Sequence, residues 1–392
     1  MPDFLQEAEE SFAYSQSLRR DLHIHPELGF QEVRTASIVA RELSQLGMEV
    51  TTGVGKTGVI GLLEGERPGP VILVRFDMDA LPILEDTGAE YASQTPGVMH
   101  ACGHDAHVAT GLTVARLLHK HRAELAGSVK FMFQPAEEGL GGASGMIAEG
   151  LLENPAPVKA LSLHVWNDRP VGWIGVSPGP VMAGAGSFRL TITGKGGHGA
   201  QPQQTLDPVL AGAQIVTALQ SIISRNLSPL QQGVLSVTQF HAGDAHNIIP
   251  QVATLGGTFR FFEENVRETI CRRLEEISQG VAQAMGCSCQ LDYNPTLPAV
   301  VNDPEVSARV LETARRILPE AEIQTGYQTM GSEDMSLVLQ KVPGCYFFIG
   351  CADPQSGRGY AHHHPMFDID ERALPKAAGL MASAAFDLLQ GG

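Results

Sequence analysis

Four short apolar runs limit what this chain can fold into: VILV at 71–74, VKFMF at 129–133, ALSL at 160–163 and CYFFIG at 345–350. None shows the strict apolar–polar alternation of a strand with one wet face, so each predicts a strand buried on both sides. Helical spacing falls around them. Val33, Ala36, Val39, Leu43 and Leu46 share one face of 32–47, which Gly47 stops, and 105–119, 303–318 and a segment from about 370 read as further helices. Strands alternating with helices predict an α/β domain with a mostly parallel sheet.

The middle of the chain has a different rhythm. SFRLTITG (187–194) alternates as a half-buried strand. A helix at 206–224, strands at 234–243 and 253–262, a helix at 264–285 and a last strand at 287–294 follow. This order, β-α-β-β-α-β, is the split ferredoxin-like pattern. The chain therefore reads as a first part of an outer domain (1–179), an inserted domain (180–293) and the rest of the outer domain (294–392). Pro- and Gly-bearing linkers, SPGPVMAG (177–184) and NPTLPAV (294–300), mark the joins.

Composition excludes some classes of function. Lys and Arg total 27 against 43 Asp and Glu, a net charge of −16. A nucleic acid duplex and an anionic membrane surface would both be repelled. No apolar stretch is long enough to span a bilayer. The acidic start, MPDFLQEAEESF, lacks the pattern of a signal peptide, and six scattered cysteines fit a reducing cytoplasm better than a disulfide framework.

The apolar runs lead into metal-ligating residue types. Asp77 and Asp79 follow the first, Glu137 and Glu138 the second, His164 the third and, after a loop, His362–His364 the fourth; HACGHDAH (100–107) precedes a helix. In parallel sheets, sites form beyond the carboxyl ends of the strands, so these clusters are expected to converge. Thiolate, imidazole and carboxylate together suit Zn, Mn, Co or Ni better than Ca or Mg. At least five good donors and a spare carboxylate favour two ions with a shared ligand. A thiolate can bridge and a neutral imidazole cannot, which makes Cys102 the better bridge than His104. In the Glu137–Glu138 pair, one carboxylate can ligate while its neighbour takes a proton from water.

The motifs RRDLHIHPELGFQE (19–32), RFDMDALP (75–82), MHACGHDAHVA (99–109), FQPAEEG (133–139), GKGGHGAQP (194–202), NIIP (247–250), GSEDMS (331–336) and HHHPMFDIDE (362–371) occur in this order. In this respect the chain resembles the M20 metallopeptidase family, in particular the amidohydrolase branch of hippurate hydrolases, N-acyl-L-amino acid amidohydrolases and auxin-conjugate hydrolases. The resemblance implies a di-metal hydrolase with a ferredoxin-like lid that also forms a homodimer. It implies Cys102 as the bridge between two divalent ions (Mn or Zn first, Co or Ni as alternatives), His104 and His164 completing one site, Glu138 and His363 the other, and Glu137 as general base. Arg75 stands where related branches carry a metal histidine, so Asp77 is expected to orient a ligand rather than bind metal. His23, His25, His100 and His107 are expected to be structural. In the lid, His198 is expected to stabilise the oxyanion in the partner subunit's site, and Asn247 and Arg260 to face a substrate carboxylate. The implied substrate is a small N-acyl amino acid. A dipeptidase or carboxypeptidase of the same superfamily, a thiol enzyme using Cys102 and a metal-binding scaffold are the alternatives.

Overall fold

The computed structural model describes residues 2–294, 297–353, 355 and 359–391. The chain divides into two compact units. One comprises Met1–Val181, Val301–Gln328 and Asp334–Gly392, the other Met182–Val300 with Thr329–Glu333.

The first unit is built on an eight-stranded sheet. Its strands are ordered Glu49–Val54, Gly58–Glu64, Ala126–Gln134, Arg67–Asp77, Lys159–Pro170, Gly344–Ala352, Trp173–Gly175 and Glu322–Gln324. The four central strands are parallel, and they are the four apolar runs of the sequence. Antiparallel neighbours occur only towards the edges. The runs are apolar because both faces are covered: every residue from Val129 to Gln134 and from Ala160 to Trp166 is buried. Helix His104–Lys120 packs among the central strands, helix Phe12–Ile24 and the C-terminal helix Ala373–Gln390. Its first twelve residues are all buried, as a helix enclosed on every side requires. The two helices at the start, Phe4–Glu10 and Phe12–Ile24, were not evident from spacing alone.

Register sets the level of the site. Asp77 pairs with Gln134 across one interface of the sheet, Arg75 with Ser162 across the next, and His164 with Phe348 across the third. Asp77, Gln134 and His164 thus sit at one height, which is the carboxyl end of the strands for Asp77 and Gln134 and the middle of its longer strand for His164.

The second unit has the ferredoxin-like order. Its antiparallel sheet runs Gly233–Ala242, Val252–Phe261, Gly184–Thr193, Ser288–Tyr293, with helices Pro208–Leu219 and Glu264–Ala284 packed on it. Phe188, Leu190, Ile215, Leu255, Phe259, Ile270 and Leu274 form its core. Asp207 accepts hydrogen bonds from the amides of Val209 and Leu210 and so starts the first helix. That helix ends at Leu219, short of the expected 224, and a π turn follows over Ile222–Asn226. The unit also runs past the expected end at 293. Leu297 pairs with Ala185, and Ala183 donates to the carbonyls of Thr329 and Gly331, so later segments continue the edge of the first strand. Pro295 and Thr296 of the expected linker lie outside the described residues.

Candidate metal centre

Cys102, Gly103 and His104 form the turn into the buried helix. Gly103 has φ +90°, a conformation that a residue with a Cβ resists. A Cβ there would also lie 2.5 Å from Cγ2 of Val165. Only glycine fits, and the turn brings Cys102 and His104 towards strand residue His164. One ligating atom from each of the three lies within 4.8 Å of the others, and Cys102 Sγ is 3.5 Å from His164 Nε2. A second group, Cys102, Glu138 and His363, meets the same limit, with His363 Nε2 3.2 Å from Glu138 Oε1. Cys102 belongs to both. Glu137 forms a further group with His104 and Glu138.

Hydrogen bonds aim these donors. His104 Nδ1 donates to the carbonyl of Asp79 at 2.9 Å and lies 3.2 Å from its carboxylate. That leaves Nε2 buried with no hydrogen-bond partner. The other oxygen of Asp79 accepts from the Glu138 amide at 3.1 Å. Asp79 thus connects ligand candidates of both groups, a role the sequence did not reveal. His164 Nδ1 donates to the carbonyl of Val165 at 2.6 Å, which presents Nε2 to Cys102. The same carbonyl accepts from His362 Nε2 at 3.0 Å, and the Val165 amide donates to His107 Nε2 at 2.9 Å. His107 Nδ1 in turn donates to Asp77, whose second oxygen accepts from fully buried Arg75 at 2.7 Å. Both nitrogens of His107 are therefore used, and it has no lone pair to offer a cation. Asp77 acts at one remove: it holds His107, which holds the backbone of Val165, whose carbonyl holds His164. His104 Nε2 is 3.7 Å from Asp77 and takes its orientation from Asp79 instead.

A buried ionic network supports the turn from behind. Arg19 donates to Asp105 at 2.8 Å and to Asp368 at 2.9 Å, and approaches Glu371 at 3.4 Å. His23 Nδ1 donates to Asp105 at 2.7 Å. Asp105 adjoins His104, and Asp368 lies five residues beyond His363.

The electrostatics favour positive charge between the donors. Burial raises the Cys102 thiol well above its ordinary range, and Glu138, Glu137 and Asp77 raise it further. A thiolate here therefore needs a cation beside it. Burial opposes charge on His104, yet Asp77 and Asp79 lift it to about 10. Burial, then His107 and His362, hold His164 well below the usual range, so its ring stays neutral with a free lone pair. The hydrogen bond to Glu138 raises His363. An orphaned buried nitrogen, a thiol among carboxylates and a neutral imidazole fit a bound transition metal.

The other anticipated residues belong to the second unit. His198 and Asn247 adjoin on a short two-stranded ribbon, Gly197–His198 against Ile248–Ile249, which the sequence was too brief to signal. His198 is exposed. Its Nδ1 accepts from the Ala200 amide at 3.0 Å, so in the neutral ring the proton is on Nε2. Arg260 is half-buried, bonds Thr258 and the Phe259 carbonyl, and is lowered by burial.

Comparison with known proteins bears on this geometry. Residues 73–387 match the profile of peptidase family M20/M25/M40. An N-acetylcysteine deacetylase of Bacillus subtilis is 40% identical, over 95% of this chain and 96% of its own. Thermostable carboxypeptidase 1 of Saccharolobus solfataricus is 39% identical, over 92% of each. The crystal structure of a dinuclear metal binding peptidase from the M20 family of Bacillus subtilis superposes with a TM-score of 0.85 at 36% identity, covering 97% of this chain and 99% of that one. The chain belongs to the M20 peptidase family and is a metal-dependent amide hydrolase.

Proposed function

We propose that the chain hydrolyses the amide bond of N-acyl-L-amino acids, hippurate-like or N-acetylated, to a carboxylic acid and a free amino acid. The observation that carries this reading is Cys102 standing in both donor groups with Glu137 at their edge. Cys102, His104 and His164 would hold one divalent ion, and Cys102, Glu138 and His363 the other, with Mn or Zn as first choice and Co or Ni as alternatives. Such ions, when bound, supply Lewis acidity to the scissile carbonyl and acidify water.

The chain's own residues do the rest. Glu137 takes a proton from the attacking water and returns it to the leaving nitrogen. Asp79 fixes the tautomer of His104, and Asp77 works through His107. His198, donating from Nε2, stabilises the tetrahedral oxygen, reaching it from the partner subunit of a homodimer formed through the lid. Asn247 and Arg260 receive the substrate carboxylate; a chain at −16 needs a local cation for an anionic substrate. Among the described residues no helix is long and apolar enough to cross a membrane, and we place the enzyme in the cytoplasm with neither membrane nor nucleic acid as partner.

A peptidase reading draws on the carboxypeptidase at 39% identity. Acetyl-, benzoyl- and indole-acetyl-amino acids, assayed beside free dipeptides with Mn, Zn and Co, separate the two. Faster turnover of dipeptides would overturn the N-acyl assignment. Glu137→Gln tests the mechanism: activity falls about 10²–10⁴-fold while two metals remain bound. Activity within a few-fold of the parent would remove Glu137 as the base.

A further inference from the structure

The motif at 19–32 precedes the stretch matched to the family profile, and its last residue, Glu32, has no role in the reading above. Glu32 caps the start of helix Val33–Gln45, yet its side chain makes no capping bond to that helix. It is fully buried instead. One carboxylate oxygen accepts from the Ala136 amide at 2.9 Å and the other from the Thr57 hydroxyl at 2.6 Å.

Ala136 immediately precedes Glu137 and Glu138. It is fully buried and has φ +53°, a left-handed conformation that a side chain disfavours. Its carbonyl accepts from the Gly142 amide at 3.1 Å. Without Glu32, the Ala136 amide would lose its acceptor in a dry interior. Two residues on, the Glu138 amide is held by Asp79 at 3.1 Å. The turn that carries Glu137 is therefore hung between two carboxylates, one at each flanking amide.

We propose that Glu32 is a positioning residue for the Glu137–Glu138 turn: it holds Ala136 in the left-handed conformation that sets the direction of the Glu137 carboxylate and the place of Glu138. The part concerning Glu137 rests on the assignment of that residue as general base. Glu32→Ala should lower kcat about 10–100-fold, the usual effect of losing an outer support of a metal site, with KM nearly unchanged. It should also weaken one of two cobalt equivalents, titrated against a chelator, by a similar factor. Glu32→Gln keeps an acceptor for the Ala136 amide and should recover most of both.

A cycle with Glu137→Gln then separates positioning from general support. With cobalt saturating in both backgrounds, so that the effect through Glu138 is removed, Glu32→Ala adds no further loss of turnover in the Glu137→Gln chain if Glu32 acts through Glu137. Equal loss in both backgrounds, a Gln variant no better than Ala, or parental cobalt affinity in Glu32→Ala would each overturn the proposal. Should Glu137→Gln itself work like the parent, the base assignment fails, and the cobalt titration still decides whether Glu32 holds the turn. If Glu32→Ala does not fold, Thr57→Val, which frees the carboxylate from behind, should give a smaller loss of the same kind in kcat and cobalt affinity; no loss in either would count against the proposal.

Discussion

Replacing Gly103 by alanine should damage the centre without touching a ligating atom. The effect has two parts. The residue has φ +90°, and holding a residue with a Cβ in so unfavourable a region costs about 1–3 kcal/mol. The new methyl would lie 2.5 Å from Cγ2 of Val165, a fully buried side chain, with Phe367 Cζ 3.6 Å away. Overpacking of that kind costs about 1–3 kcal/mol more. Together they give about 2–6 kcal/mol, a large share of the ~5–15 kcal/mol that keeps a domain folded. Gly139→Ala supplies the control. Gly139 has φ +78°, but a methyl added there would meet nothing within 4 Å, so it carries the backbone part alone. Both tryptophans, Trp166 and Trp173, lie in the first unit, and their emission during urea denaturation of the metal-free protein reports that unit. Gly103→Ala should unfold at clearly lower urea than Gly139→Ala and should bind less cobalt, since Cys102 and His104 flank the strained residue. Equal midpoints for the two variants would refute the packing argument; full cobalt binding by Gly103→Ala would refute the claim that this turn sets the ligands.

Three further outcomes are expected. Cys102→Ala should lose at least one metal equivalent by mass spectrometry, and two full equivalents would contradict the bridge. Arg19→Met leaves Asp105 and Asp368 buried without their guanidinium, while Glu371 keeps that of Arg20, and should reduce stability by about 3–5 kcal/mol at neutral pH. Arg19 and His23 work against burial to hold Asp105 far below the carboxylate range, so this stabilisation is present above the unfolded value of about 3.9 and fades as pH falls below it; a difference that persists unchanged into strong acid would be inconsistent with the ion pair. His198→Ala should keep both metals but lose about 10²–10³ in activity, and mixed dimers with Glu137→Gln should regain activity if His198 serves its neighbour; no recovery after verified subunit exchange would reject that role.

Much of the first unit was legible because burial on both faces writes itself as unbroken apolar runs, and the residue types at the ends of those runs marked a metal centre. Which atoms aim those donors was not legible. Asp79 reaches His104 across 25 positions, Glu32 reaches Ala136 across 104, and His362 meets Val165 across 197. These bonds join side chains to backbone groups, so the partner residue leaves no chemical signature. Asp77 was expected to orient a ligand, but the route through His107 depends on a strand register that spacing does not reveal. The later boundary of the second unit was not legible for a related reason. Leu297 and Thr329 extend an existing strand edge through isolated pairings, too short for any periodic pattern.

Val165 offers a lesson for anyone wishing to transplant this centre. Its carbonyl receives His164 and His362 while its amide reaches His107, so three imidazoles are arranged around the backbone unit of one residue. A recipient scaffold given the same histidines, cysteine and glutamates would still lack that unit unless its strand followed the same path at the same height. The recipe for the site is therefore partly a recipe for a backbone trace, and copying the side chains alone would reproduce the ingredients without the arrangement.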